Sequence, residues 1–218
     1  MTSQIVAIIL TFQFFISSTF AQKNVAPNLF YSTNELKADL KYLKNKLESK
    51  HPGLHLYTSK SNMDQVFDSL ENGISKPMTE LEFYKHIAII SSMIKDGHTI
   101  ILPSPTNINF HYSMSHFLPY HFAILNHQLF IDMVYTHDGS IPIGSEIIRI
   151  NHVEVTEIIK QLGTRLVRDG YNLTYPNWIL NNYFRQYYSF IYDHPDNSVI
   201  DYKTNGQVFT ATIKALPI

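Results

Sequence analysis

The sequence predicts an α+β fold in which a helical N-terminal region precedes a mostly antiparallel strand module with inserted helices. Three observations predict it. Leucines recur at helical spacing in the first third of the chain. The hydrophobic period changes from helical to extended after His98. Two alternating runs near the end flank Asn205-Gly206, a strong two-residue hairpin signal.

The elements follow in order. Ser32-Thr33-Asn34-Glu35 is a capping-box pattern, and Leu36, Leu40, Leu43 and Leu47 form one apolar stripe behind it. His51-Pro52-Gly53 ends that helix. A second helix is expected from about Asn62 to Glu71, with Met63, Val66, Phe67 and Leu70 on one side and Gly73 as its stop. Thr79-Glu80-Leu81-Glu82 opens a third, over about 80–95, with Gly97 as its left-handed cap. Thr99 to Leu102 reads as a strand closed by Pro103 and Pro105. Phe117–Leu125 and Gln128–Val134 read as strands joined at Asn126-His127. Gly144–Asn151 enters another strand, and helices are expected over Val155–Val167 and Trp178–Tyr192. Ser198–Lys203 and Gln207–Lys214 complete the terminal hairpin. The expected boundary lies near residues 103–116, which gives a helical region over 32–105 and a strand module over 106–218.

Composition narrows the function classes. Of 218 residues, 44% are hydrophobic and 16% charged, as in a globular chain. The net charge is −1 with no basic cluster, which argues against a nucleic-acid partner. Ile5 to Phe20 is an apolar run interrupted by Thr11, Gln13, Ser17, Ser18 and Thr19, and it ends in Thr19-Phe20-Ala21. Residues 1–21 therefore read as a signal peptide cleaved near Ala21, with 22–31 as a leader. The run is too short and broken for a stable membrane anchor. The expected location is outside the cytoplasm, periplasmic or extracellular. The absence of cysteine excludes a thiol nucleophile and thiolate metal ligands.

The chemistry concentrates at Asp96-Gly97-His98-Thr99, where the third helix stops. A general base needs a fixed backbone and a group that orients its ring. A helix end supplies the first, and Asp96 or Thr99 the second. His98 is the candidate general base, with Asp96, Gly97 and Thr99 supporting it; read alone, the four residues are also an ordinary helix-stop turn. No Gly-x-Ser-x-Gly elbow accompanies them, and Ser104, Ser113 and Ser115 read as loop serines. No metal or other cofactor is expected. Pro52-Gly53 breaks the helix that a His51/His55 pair would need, and His111, His116 and His121, five apart, fall on alternating faces of a strand.

Two stretches carry a family resemblance. One runs from Leu47 to Thr99, including His51-Pro52-Gly53-Leu54, Phe83-Tyr84 and Asp96-Gly97-His98-Thr99. The other is Ile143-Gly144-Ser145-Glu146-Ile147-Ile148-Arg149-Ile150-Asn151-His152-Val153-Glu154-Val155, which is similar to a stretch of PDZ domains. Together with Asp169-Gly170 and the Tyr-rich segment after it, they resemble the tail-specific, or carboxyl-terminal processing, serine peptidases over about residues 32–215. His152 departs from the usual glycine, and no residue marks a carboxylate-binding loop. The resemblance implies a helical region, a PDZ-like module and a catalytic core that normally follows it. It also implies that His98 matches the histidine of a Ser–His–Glu set. The expectation is thus the N-terminal portion of an exported peptidase, lacking its nucleophile-bearing core and inactive alone. Its partners would be a peptide or protein substrate and a catalytic core acting in trans. The alternative expectation is a non-catalytic exported PDZ-like module that binds peptides or proteins.

Overall fold

The computed structural model describes residues 29–114, 116–136, 141–192 and 195–217. The expected signal peptide, most of the leader and Ser115 lie outside the described residues. The architecture is mixed α+β, with helices first and an antiparallel sheet with inserted helices after.

A short strand β1 (Phe30–Tyr31) pairs with β2 (Met78–Thr79) and brackets the first two helices. Helix α1 (Thr33–Lys50) begins with the expected capping box: the Ser32 hydroxyl accepts the Glu35 N–H, and the Glu35 carboxylate accepts the Ser32 N–H. Helix α2 (Lys60–Gly73) runs slightly longer than expected. Leu36, Leu40, Met63 and Phe67 from these two helices pack with Ile90 and Ile94 into the N-terminal core. Each such buried side chain contributes roughly 1.5–3 kcal/mol.

The third expected helix is two pieces, α3 (Glu80–Ile87) and α4 (Ile89–Ile94), which share Ala88 as a cap. The break precedes Ser91 and Ser92, whose side chains compete for backbone groups. The Ser92 hydroxyl lies within hydrogen-bond reach of Ile89 O and, at 2.6 Å, of Thr164 O. The expected strand at Thr99–Leu102 is irregular chain instead. There the Ile101 N–H is taken by the Ser91 hydroxyl rather than by a neighbouring strand. Pro105 opens helix α5 (Pro105–Met114), with Ser104 accepting the Asn107 N–H as its cap. Pro105 thus marks a helix start rather than a strand end, since proline favours the first helical position.

Beyond α5, β3 (His116–Phe117) pairs with β10 (Leu216–Pro217). The main sheet holds β4 (Tyr120–Leu125), β5 (Gln128–Val134), β6 (Glu146–Ile150), β8 (Asn197–Thr204) and β9 (Gln207–Lys214), antiparallel in that order. The short β7 (Val153–Glu154) folds back on β6. Asn126-His127 and Asn205-Gly206 both adopt positive φ, as tight hairpin turns require. Helix α6 (Val155–Gly163) and helix α7 (Thr174–Ile191) cover one face of the sheet. Helix α6 ends before the expected Val167, with Thr164 as its cap, and α7 kinks at Tyr183. Phe122, Ile131, Ile147, Ile158, Leu162, Leu180 and Ile200 make the second core. Tyr84 and Ala88 of the α3–α4 unit meet Phe190 of α7 in a small third cluster between the two.

Candidate functional site

Helix α4 stops because Lys95 turns into the left-handed region at φ 57°. The left-handed cap is therefore Lys95 and not the expected Gly97. Gly97 is needed for a different reason, close approach: a Cβ there would lie 2.9 Å from Asp169 Oδ1. Its N–H donates to that oxygen at 2.8 Å.

Asp96 is the hub of the turn. Its Oδ2 accepts from His51 Nε2 at 2.8 Å and from the Thr99 hydroxyl at 3.0 Å. Its Oδ1 accepts the His98 backbone N–H at 2.9 Å and faces His98 Nδ1 at 3.3 Å. Burial alone would raise the pKa of this carboxyl. The hydrogen bonds from the His98 backbone, His51, Thr99 and the His98 ring outweigh it and hold the pKa below the usual carboxylate range. Asp96 is therefore an anion at neutral pH.

The turn is braced by the segment between α6 and α7. Besides the Gly97–Asp169 bond, the Gly170 N–H donates to Lys95 O at 3.0 Å. Gly170 sits at φ +60°, and a Cβ there would press on the Tyr57 ring at 3.1 Å. Tyr57 meets Tyr171 edge-to-face, and Lys95 Nζ lies 4.1 Å from the centre of the Tyr171 ring. The turn is thus fixed from both sides, while the His98 side chain is 89% exposed. With Nδ1 turned to a carboxylate, Nε2 is the nitrogen left to accept a proton.

Of the expected supporting residues, Asp96 contacts His98 directly, Thr99 bonds Asp96, and Gly97 bonds Asp169 instead. Sequence reasoning gives His51 no place at this site: it is 45 residues from Asp96 and reads as part of a helix end and as half of a His51/His55 pair. Asp169 enters the sequence reading through the Asp169-Gly170 resemblance, with no role attached. Neither has a local signal, since both act through contacts that only the fold creates.

Ser104 and Ser113 are engaged elsewhere. The Ser104 backbone N–H and hydroxyl both donate to the Glu80 carboxylate, and Ser113 donates to Phe110 O at 2.8 Å. The other histidines also separate. His111 approaches Ser189 at 3.0 Å, His116 approaches Asp196 at 2.7 Å, and His121 approaches Asp132 at 3.1 Å. Among the described residues, the group able to offer three metal-ligand atoms is Asp96, His98 and Asp169, whose ligand atoms lie within 4.8 Å of one another. Both aspartates are already engaged by backbone N–H groups of the turn.

Strand β4 is one of the two borders of the sheet. Helix α7 lies along it, and the Ile124 N–H donates to Asn181 Oδ1 at 2.7 Å. An added strand has to displace Asn181 to use that amide.

No family model and no curated protein matches the chain. Solved structures do match in fold, over 84–85% of this chain. The fold resembles part of CPAF. A serine-to-alanine mutant of CPAF aligns at TM-score 0.60 and 12% identity, over 34% of its own length. Mature CPAF complexed with lactacystin aligns at 0.57 and 13%, over 35% of its length. Mature CPAF alone aligns at 0.54 and 12%, over 34%. This chain therefore spans about a third of the length of the CPAF structures it matches. CPAF is a serine protease of the tail-specific family, and the likeness to it is partial. At such identities the likeness to CPAF establishes the fold alone.

Proposed function

We propose that this chain is the N-terminal portion of an exported tail-specific-type serine peptidase, with His98 as its general base. The observation that carries the reading is the Asp96–His98 arrangement: a carboxylate held ionised at 3.3 Å from His98 Nδ1, on a turn braced by Asp169 and Gly170. The partial likeness to CPAF supports it. In this reading a catalytic core, in cis or as a partner chain, brings a serine hydroxyl to Nε2 of His98. Nε2 takes the hydroxyl proton as the oxygen attacks a peptide carbonyl, and it returns the proton to the leaving amine. Asp96 holds the ring orientation and stabilises the imidazolium formed on the way. The substrate is a peptide or protein chain. No hydrolysis is assigned to these 218 residues alone.

Peptidase assays with and without a catalytic core test this. The 218-residue chain turns over no fluorogenic peptide and takes no label from a fluorophosphonate. With the core present, turnover appears and falls by roughly three orders of magnitude in His98→Ala. Turnover by the chain alone, or core-dependent turnover indifferent to His98→Ala, overturns the reading. Peptide binding without hydrolysis, unaffected by that substitution, supports the binding-module alternative.

A further inference from the structure

We propose that His51 is the positioning residue of this site: a neutral imidazole that fixes the Asp96 carboxylate and, through it, the orientation of His98. The inference deepens the reading of His98 as a base and rests on it.

The tautomer follows from the geometry. The Gly53 N–H donates to His51 Nδ1 at 3.2 Å, so Nδ1 carries a lone pair. The ring proton of a neutral imidazole then sits on Nε2, which donates to Asp96 Oδ2 at 2.8 Å. The turn that ends α1 at His51-Pro52-Gly53 thereby selects the protonation state of a side chain serving another part of the fold. The ring is enclosed, with 7% of the side chain exposed, so neither nitrogen has ready access to water in place of these partners.

The consequence lies in how the carboxylate divides its oxygens. His51 and Thr99 occupy Oδ2, which leaves Oδ1 for the His98 N–H and ring. Without the His51 donor, Oδ2 is held by the rotatable Thr99 hydroxyl alone, while Oδ1 keeps the His98 N–H. The carboxylate is then less firmly fixed, and the ring of His98 faces a looser partner. What the site needs at position 51 is an N–H at the reach of Nε2, not an aromatic ring. Glutamine supplies such an N–H; phenylalanine fills the space without it.

The test uses the 218-residue chain, labelled with nitrogen-15, before any activity is measured. The His51 imidazole is expected as the Nε2–H tautomer. The His98 amide should exchange about tenfold faster in His51→Phe than in wild type, and close to the wild-type rate in His51→Gln. The amides of Ile150 and Ile200 in the sheet serve as internal references and should keep their rates in both variants. An Nδ1–H tautomer in the wild type overturns the proposal without any variant, as does unchanged His98 exchange in a folded His51→Phe. In the enzyme completed by its core, His51→Phe should lower kcat at least tenfold with KM little changed, and His51→Gln should restore most of it. If His98→Ala abolishes turnover but His51→Phe does not lower it, this positioning role fails while the base survives. If turnover ignores His98→Ala, the base reading fails, and the tautomer and exchange results still judge whether His51 fixes the turn.

Discussion

Asp169 Oδ1 accepts the Gly97 N–H at 2.8 Å across 72 residues of sequence. The bond couples the end of the helical unit to the loop between α6 and α7, so the base-bearing turn belongs to both parts of the molecule.

Replacing Gly97 by alanine places a methyl group 2.9 Å from Asp169 Oδ1, 3.1 Å from Oδ2 and 3.2 Å from the carboxyl carbon. Asp169 has to swing away, which also breaks its bond to the Gly97 N–H. Gly97→Ala should destabilise the fold by about 1–2 kcal/mol in urea titration. Combined with Asp169→Ala, which removes the obstacle, its effect should be clearly smaller than the sum of the two singles. Full additivity would show that the loops are not in contact.

Asp96 makes stability depend on pH in a definite direction. Its pKa is lowered in the folded state, so the folded protein binds its proton less readily than the unfolded chain. The contribution is fully present above the unfolded carboxylate pKa of about 3.9 and is lost as the pH falls through the lower folded value. The stability advantage of wild type over Asp96→Asn should be complete at about pH 6 and shrink steadily towards about pH 3. Glu82, lowered by its backbone bond to Thr79, titrates in the same direction in both proteins and cancels from the difference. An advantage that grows on acidification would contradict the arrangement.

Asn181 guards the β4 edge through the Ile124 N–H. Asn181→Leu removes that acceptor and the donor to Asn177 O, at an expected cost of about 1–2 kcal/mol. Hydrogen exchange should locate the change: the Ile124 amide accelerates, while Ile200 in the middle of the sheet does not.

The α6 face can be tested separately. Ile158 is 0% exposed under the sheet, and Ile158→Ala should lose about 2–5 kcal/mol by denaturant titration. Val208 is 64% exposed on β9, and Val208→Ala should change stability by about 0.5 kcal/mol or less.

Local chemistry made part of this fold legible. The capping boxes at Ser32 and Thr79 and the turns at Asn126-His127 and Asn205-Gly206 are set by neighbours within a few residues, and each forms as expected. The misreadings arose where distant partners decide. Ile101 satisfies its N–H on Ser91 rather than on another strand. Ser92 reaches Thr164, 72 residues away. Gly97 was recognised as special, but for a backbone angle that belongs to Lys95. The site shows the same division. Asp96 and Thr99 were visible as partners of His98, because they are adjacent. His51 and Asp169 were not visible as partners, because nothing within ten residues of either one points to position 96 or 97.

Strand β9 offers the sharpest contrast with the guarded β4. It is eight residues long, lies at the opposite border of the sheet, and leaves Val208 and Phe209 largely open to solvent. Among the described residues its outer side pairs with no further strand, and such a border is a template for intermolecular pairing. Charge restrains such pairing, and on this strand it is carried by Lys214 alone, at the far end. Self-association of the chain through this border should therefore rise with concentration, and Val208→Lys should reduce it in sedimentation measurements.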